Sequence, residues 1–213
     1  ANKQKDEIIS AISHEFKNPI AIISGYSETI LNDEQMPQPM KIRFLKKIYS
    51  NANKMSQIVD KLRLTLKLEE GKQELILIPC SMKKLIITCI SDLKDKYKNR
   101  EILIQGDDIT LKVDETLISM AISNLIENAL KYSEDEIIVN ISDNSITIID
   151  KGIGIEEKEL EKINQKFYRI SNNGWNNSLG LGLFIVQSVL SLHNFTLKID
   201  SVFKNGSQFS INY

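Results

Sequence analysis

The chain has 213 residues, 42% hydrophobic and 26% charged, with 27 Lys and Arg against 28 Asp and Glu for a net charge of -1. This composition suits a globular chain of one large domain or two small ones and excludes a disordered one. It carries no basic field, so nucleic acid is not expected as a partner.

The two cysteines, Cys80 and Cys89, match no CxxC pattern, and with only two histidines a zinc site is not expected. They read as reduced, partly buried thiols in a cytosolic setting. There is no signal-peptide pattern and no apolar run of 18 residues. The chain opens on the helical pattern Asp6-Glu7-Ile8-Ile9, as a fragment of something longer would.

Residues 3–32 place Ile8, Ile12, Phe16, Ile23 and Ile30 at spacings near three, four and seven, which predicts a helix with one apolar stripe. Pro37 and Pro39 break it. Residues 40–70 carry a second stripe through Phe44, Ile48, Met55, Val59, Leu62 and Leu66, and Gly71 reads as a C-terminal cap. Two long helices on a short loop form a hairpin. One hairpin cannot cover both stripes, so it is expected to dimerise into a four-helix bundle.

The texture changes after Gly71, with a hinge over Gly71 to Glu74. Short strands are predicted over 75–78, 102–105, 110–113, 137–141, 146–149, 196–200 and 208–212. Amphipathic helices are predicted over 81–98, 115–132 and 181–192. The chain therefore reads as α+β: a helical hairpin, residues 1–71, then an α/β sandwich, residues 72–213, with helices layered on a sheet. Residues 171–178 are Asn-rich, polar and loop-like apart from Trp175.

Four clusters carry chemistry. His14 stands in Ser13-His14-Glu15-Phe16-Lys17-Asn18-Pro19. A helical histidine alone is more often a surface or filler residue. A neutral imidazole is nonetheless a nucleophile near pH 7, and the adjacent Glu15 carboxylate can fix its tautomer. Asn18 lies one turn on, on the same face, where an amide can hold a water. Pro19 is expected to kink the helix there.

Asn124 and Asn128 share a second helical face with Lys131. Asn128 suits Mg²⁺ held with phosphates, Lys131 suits a phosphate, and Tyr132 suits a base or ribose. Asp150 ends a strand and is followed by Gly152 and Gly154. Its carboxylate can accept the exocyclic amine of adenine, and the glycines permit close backbone approach. Gly180-Leu181-Gly182 opens an apolar helix whose amides can receive phosphates. No GxGxxG with a ribose-reading acid and no GxxxxGK[ST] is present, so the nucleotide site is neither a Rossmann site nor a P-loop. His193, next to Asn194 at a helix end, reads as a structural cation on the helix dipole.

Across essentially all its residues the chain resembles the cytoplasmic catalytic core of a two-component sensor histidine kinase. It is similar to a HisKA-type dimerisation and phosphoacceptor hairpin followed by an ATP-binding domain of the Bergerat (GHKL) fold, shared with DNA gyrase and the mismatch-repair protein MutL. The H box resembles residues 13–19, the N box residues 124–132, and the first glycine box Asp150 to Gly154. Lys166-Phe167-Tyr168-Arg169 resembles the F box, and Gly180 to Leu183 the second glycine box. Ser178 stands where that last box usually has another glycine.

The resemblance implies roles. His14 would be phosphorylated, with Glu15 assisting proton removal and Asn18 serving dephosphorylation of a regulator. ATP would be bound by Asn124, Asn128 (through Mg²⁺), Lys131, Tyr132, Asp150, Gly152, Gly154, Arg169, Gly180, Leu181 and Gly182, under a lid over 156–179. It also implies a homodimer, a response-regulator partner, and the cytoplasmic portion of a bacterial inner-membrane sensor. Two other functions are open to a chain of this fold. An ATPase motor of the same fold would need a glutamate as water base at position 124, where this chain has Asn. A decayed scaffold would not retain Asn128, Lys131, Asp150, Gly152 and Gly154.

Overall fold

The computed structural model describes residues 2–71, 73–163, 165, 166, 168 and 179–213, with the backbone alone for 2–9 and 11. The chain packs as two compact units, and it passes from the first to the second between Glu70 and Gly71.

The first unit is a helical hairpin, α1 (Asn2–Asn32) and α2 (Gln38–Glu69). The stripe residues Ile12, Phe16, Ile23, Ile30, Phe44, Ile48, Met55 and Leu62 are part-buried, whereas Val59 and Leu66 stay exposed. Ile8 lies outside the described side chains. The Tyr26 and Phe44 rings sit 4.7 Å apart between the helices. The turn closes on its own polar groups. Asp33 Oδ1 accepts the Gln35 N–H at 3.1 Å, and the Pro37 carbonyl accepts Met40 and Lys41 at 2.9 and 3.0 Å. Pro39 falls in the first turn of α2, where a missing N–H costs nothing. Helix α1 runs through Pro19 without interruption, although Pro19 has no N–H for the Glu15 carbonyl. Gly71, at φ +62°, stops α2 as its cap.

The second unit contains β1 (Ile78–Ser81), α3 (Met82–Lys94), β2 (Ile102–Gln105), β3 (Thr110–Val113), α4 (Glu115–Tyr132), β4 (Ile137–Ile141), β5 (Ser145–Asp150), α5 (Glu157–Leu160), α6 (Gly182–Leu192), β6 (Thr196–Val202) and β7 (Gly206–Asn212). Five strands form one sheet in the order β2-β4-β5-β7-β6, with β2 and β4 parallel and the other pairs antiparallel. Strands β1 and β3 form a separate two-stranded ladder.

Helices α4 and α6 pack on the five-stranded sheet, and α3 packs on α4. The core between the layers holds Ile86, Ile122, Leu125, Ile126, Ile148 and Ile185, each at most 1% exposed. Burying each such side chain contributes about 1.5–3 kcal/mol before entropy. Strand periodicity puts Ile146, Ile148 and Asp150 on the helix-facing side of β5, opposite Ile211, Phe209 and Ser207 of β7. The Asp150 carboxylate is thus carried into the core by its own strand.

Two expectations are corrected. The strand read at 75–78 begins only at Ile78, because the four-residue β3 registers with Ile78–Ser81. The Ile76 N–H instead donates to Asp114 Oδ2 at 3.0 Å. The helix read at 81–98 is shorter, with Ser81 as its N-cap accepting the Lys84 N–H, and it ends at Lys94.

Candidate functional site

The first unit carries the H-box residues. His14 and Asn18 are exposed one turn apart, so both leave the same face of α1. Glu15 is 7% exposed. Successive residues on a helix project about 100° apart, so the long Glu15 side chain has to bend along α1 for its carboxylate to meet the neighbouring imidazole.

The second unit gathers most of the predicted nucleotide residues around α4, the end of β5 and the start of α6. Asp114 caps α4 by accepting the Leu117 N–H at 3.0 Å. Further along α4, Asn124 is 7% exposed. Its Nδ2 donates to the Met120 carbonyl at 2.9 Å, and a side chain at Gly182 would place a Cβ 3.5 Å from its Oδ1. The amide therefore faces the start of α6. Asn128 is half-buried on the same face. Lys131 Nζ lies 3.8 Å from Glu127 Oε1. Tyr132 is 36% exposed, and its carbonyl accepts the Ile153 N–H at 3.1 Å.

Asp150 is 4% exposed, and its Oδ1 accepts the Gly152 N–H at 2.8 Å. Burial pushes its carboxyl above the ordinary range, against the opposing hydrogen bonds from the Gly152 and Ser207 backbones. The turn after it is clamped on three sides by backbone. A Cβ at Gly152 would lie 2.0 Å from the Tyr132 carbonyl oxygen, and one at Gly154 2.1 Å from that of Val202. A Cβ at Gly206, where φ is +95°, would lie 2.0 Å from the Asp150 carbonyl oxygen. The result is a fixed, buried acceptor beside a rim of backbone, suited to reading a donor on a flat ligand.

At the other side, Gly180 has φ +67°, and Leu181 is the N-cap of α6 with no side-chain cap. Among the described residues no side chain caps this helix start, and such a start suits an anion. Of the F box, Lys166 Nζ stands 4.7 Å over the Phe184 ring, and the Tyr168 hydroxyl bonds to Glu159. Phe167, Arg169 and the Asn-rich stretch 171–178 lie outside the described residues.

Gly206, Ser207 and Ser201 were missed in the sequence. Ser201 Oγ accepts the Ile155 N–H at 2.8 Å and donates to the Gly206 carbonyl at 3.0 Å. Asn205-Gly206 is a hairpin dipeptide and marks the β6–β7 turn, yet nothing local says that the turn abuts Asp150. His193 is corrected. It is 8% exposed and bonded at both ring nitrogens, so it is a buried hydrogen-bonding residue rather than a cation on the dipole.

Known proteins agree with this arrangement. Residues 4–71 match the His Kinase A (phospho-acceptor) domain family, and residues 113–213 the Histidine kinase-, DNA gyrase B-, and HSP90-like ATPase family. The chain is 30% identical to the phosphate regulon sensor protein PhoR of Pseudomonas aeruginosa, over 99% of this chain and 50% of that protein. It is 27% identical to the sensor-like histidine kinase SenX3 of Mycolicibacterium smegmatis, over 97% of this chain and 56% of that one. It thus spans about half the length of these curated relatives. Among solved structures, the fold matches the Acinetobacter baumannii histidine kinase AdeS with a TM-score of 0.70 at 21% identity, over 93% of this chain and 95% of that one. It also matches histidine kinase ThkA, solved in complex with the response regulator protein TrrA, with a TM-score of 0.63 at 21% identity, over 96% of this chain and 60% of that one. With a phospho-acceptor hairpin and an ATPase domain in tandem, the chain belongs to the sensor histidine kinases.

Proposed function

We propose that this chain is the catalytic core of a sensor kinase that phosphorylates His14 from ATP and passes the phosphoryl group to an aspartate of a response regulator. Residues 1–71 serve as the dimerisation and phosphotransfer domain, and residues 72–213 as the ATP-binding domain. Asp150 reads the adenine amine. Tyr132 flanks the nucleoside, and Lys131, Arg169 and the Gly180-Leu181-Gly182 amides face phosphates.

The observation that carries this reading over hydrolysis is Asn124. A water-activating ATPase needs a base beside the phosphates, and a buried amide with its Nδ2 bonded to Met120 cannot take a proton. The acceptor must then be another nucleophile, and the exposed His14 supplies it. One imidazole nitrogen attacks the γ-phosphorus, the bond to the β–γ bridging oxygen breaks, and ADP leaves. Glu15 takes the imidazole proton. In the second step the aspartate oxygen takes the phosphoryl group, and the imidazole regains a proton.

Asn128 supplies a hard amide oxygen from α4. Among the described residues no group of three or more His, Cys, Asp or Glu side chains could hold a metal ion. Mg²⁺ would enter with the nucleotide, held by Asn128 and phosphate oxygens, and would supply charge neutralisation at the phosphates.

The hairpin leaves Leu31, Ile42, Leu45, Tyr49, Val59 and Leu66 between 49% and 78% exposed. A second copy buries them in a four-helix bundle, which makes the unit a homodimer. No helix among the described residues is long and apolar enough to cross a membrane. By analogy with its sensor-protein relatives, the core belongs to the cytoplasmic side of a membrane-anchored sensor. Asn18 gives it a regulator-phosphatase activity as well.

The experiment is incubation with γ-labelled ATP followed by a receiver domain. Label should appear on the chain and then move to the receiver. Release of free phosphate with no protein-bound intermediate would favour the ATPase reading.

A further inference from the structure

Glu127 on α4, with Lys96 and Tyr97 beside it, has no part in the reaction as proposed. Lys96 and Tyr97, in the turn after α3, reach Glu127, 31 and 30 residues downstream. Lys96 Nζ is ion-paired with Glu127 Oε1, and the Tyr97 hydroxyl lies 3.4 Å from the same oxygen. Lys131 Nζ stands 3.8 Å from it. The Glu127 side chain is 15% exposed, that of Lys131 25% and that of Lys96 59%. Burial and the Glu127 charge push the Tyr97 phenol up, which keeps it a donor. Arg100 pins the same turn to the end of α4, donating at 2.9 Å to the carbonyls of Leu130 and Asp135. The cluster is held from two elements, unlike a chance meeting of surface charges.

Lys131 follows Asn128 by three residues and Glu127 by four, so its stem rises between them on the helix. One ammonium is within reach of both the Glu127 carboxylate and a phosphate near Asn128, and it serves one at the expense of the other. We propose that Glu127 is a positioning residue that holds Lys131 back from the site until a nucleotide polyphosphate takes it, while Lys96 and Tyr97 keep the carboxylate compensated after Lys131 has gone. This rests on Lys131 being a phosphate contact. Lys96 makes the release inexpensive, because a largely buried carboxylate stripped of every partner would resist it. A part-exposed pair of this kind changes an affinity by about two- to fivefold.

The test is a double-mutant cycle on the whole chain, read as the calorimetric Kd for ATP with Mg²⁺. Lys131→Ala should weaken binding. Glu127→Gln should tighten it about two- to fivefold, and should change nothing when added to Lys131→Ala. Glu127→Asp, one methylene too short to hold Lys131, should tighten binding as well and serves if the Gln variant does not fold. Equal tightening in both backgrounds would make Glu127 a fixed repulsive charge and overturn the proposal, as would weaker binding in Glu127→Gln. Weaker binding in Lys131→Ala with no response to Glu127→Gln would defeat this proposal and leave the phosphate-contact reading standing. Unchanged binding in Lys131→Ala would defeat both.

Discussion

The backbone N–H of Asp114 donates to His193 Nε2 at 3.0 Å, across 79 residues of chain. The other ring nitrogen, Nδ1, donates to the Val189 carbonyl at 2.7 Å, which sets the neutral tautomer. One imidazole thereby joins the N-cap of α4 to the end of α6. These are the two helices that meet at Asn124 and Gly182, in the proposed nucleotide site. The Asp114 carboxylate extends the junction to Leu117 and to Ile76.

We predict that His193→Ala destabilises the second unit by about 2–4 kcal/mol, since it leaves the buried Asp114 N–H without an acceptor and opens a cavity. His193→Gln, whose amide oxygen can accept that N–H, should lose less. Hydrogen exchange at the Asp114 amide reports both. Equal protection in wild type and His193→Ala would contradict the junction.

Asp150→Asn should weaken ATP binding by about 1–3 kcal/mol, because an amide presents a donor where the adenine amine needs an acceptor. The same change should stabilise the fold at neutral pH. Burial raises the Asp150 carboxyl above its ordinary range, so the folded chain holds that proton more tightly than the unfolded one. The stability contributed by this proton is present below the unfolded pKa of about 3.9 and is lost as pH rises through the folded value. The gain in Tm for Asp150→Asn should therefore appear at pH 7 and vanish at low pH. A Tm gain that persists unchanged at low pH would point to another cause.

Gly152→Ala should abolish nucleotide binding and destabilise the second unit. The contact 2.0 Å away is the Tyr132 carbonyl, which is backbone and cannot rotate aside. Gly25→Ala is the control, since a Cβ there meets nothing within 4 Å. Thermal unfolding with and without ATP compares them. Wild-type binding in Gly152→Ala would mean the turn after Asp150 is more pliant than its packing indicates.

Much of the fold is legible in the sequence. The stripes of α1 and α2 are helical in period, and Gly71 is where a left-handed cap is needed. The apolar run ending in Asp150 is strand-like in composition, and the carboxylate stands at its end as read. What escaped depends on contacts between distant segments. Leu75, Ile76 and Leu77 form a strand-like apolar run, yet β3 offers no ladder partner for them. The four-residue α5 is too short to show a period. The clamp of Gly206 on Asp150 and the grip of Lys96 on Glu127 leave no local pattern at all.

Asn18→Ala should leave autophosphorylation largely intact and slow dephosphorylation of the regulator. An amide one turn from His14 positions a water without taking its proton. Glu15→Gln should do the reverse. Pre-phosphorylated receiver domain mixed with each variant separates the two, and a wild-type dephosphorylation rate in Asn18→Ala would remove Asn18 from that step.

The central claim is that His14 is the phosphoryl acceptor from ATP bound in the second unit. Its most direct measurement is the acid and base stability of label transferred from γ-labelled ATP, in wild type and in His14→Gln, with ATP affinity measured alongside. The account predicts a base-stable, acid-labile phosphoramidate on the wild-type chain, no label on His14→Gln, and ATP affinity within about twofold of wild type. Label that survives acid, or that persists in His14→Gln, would contradict it.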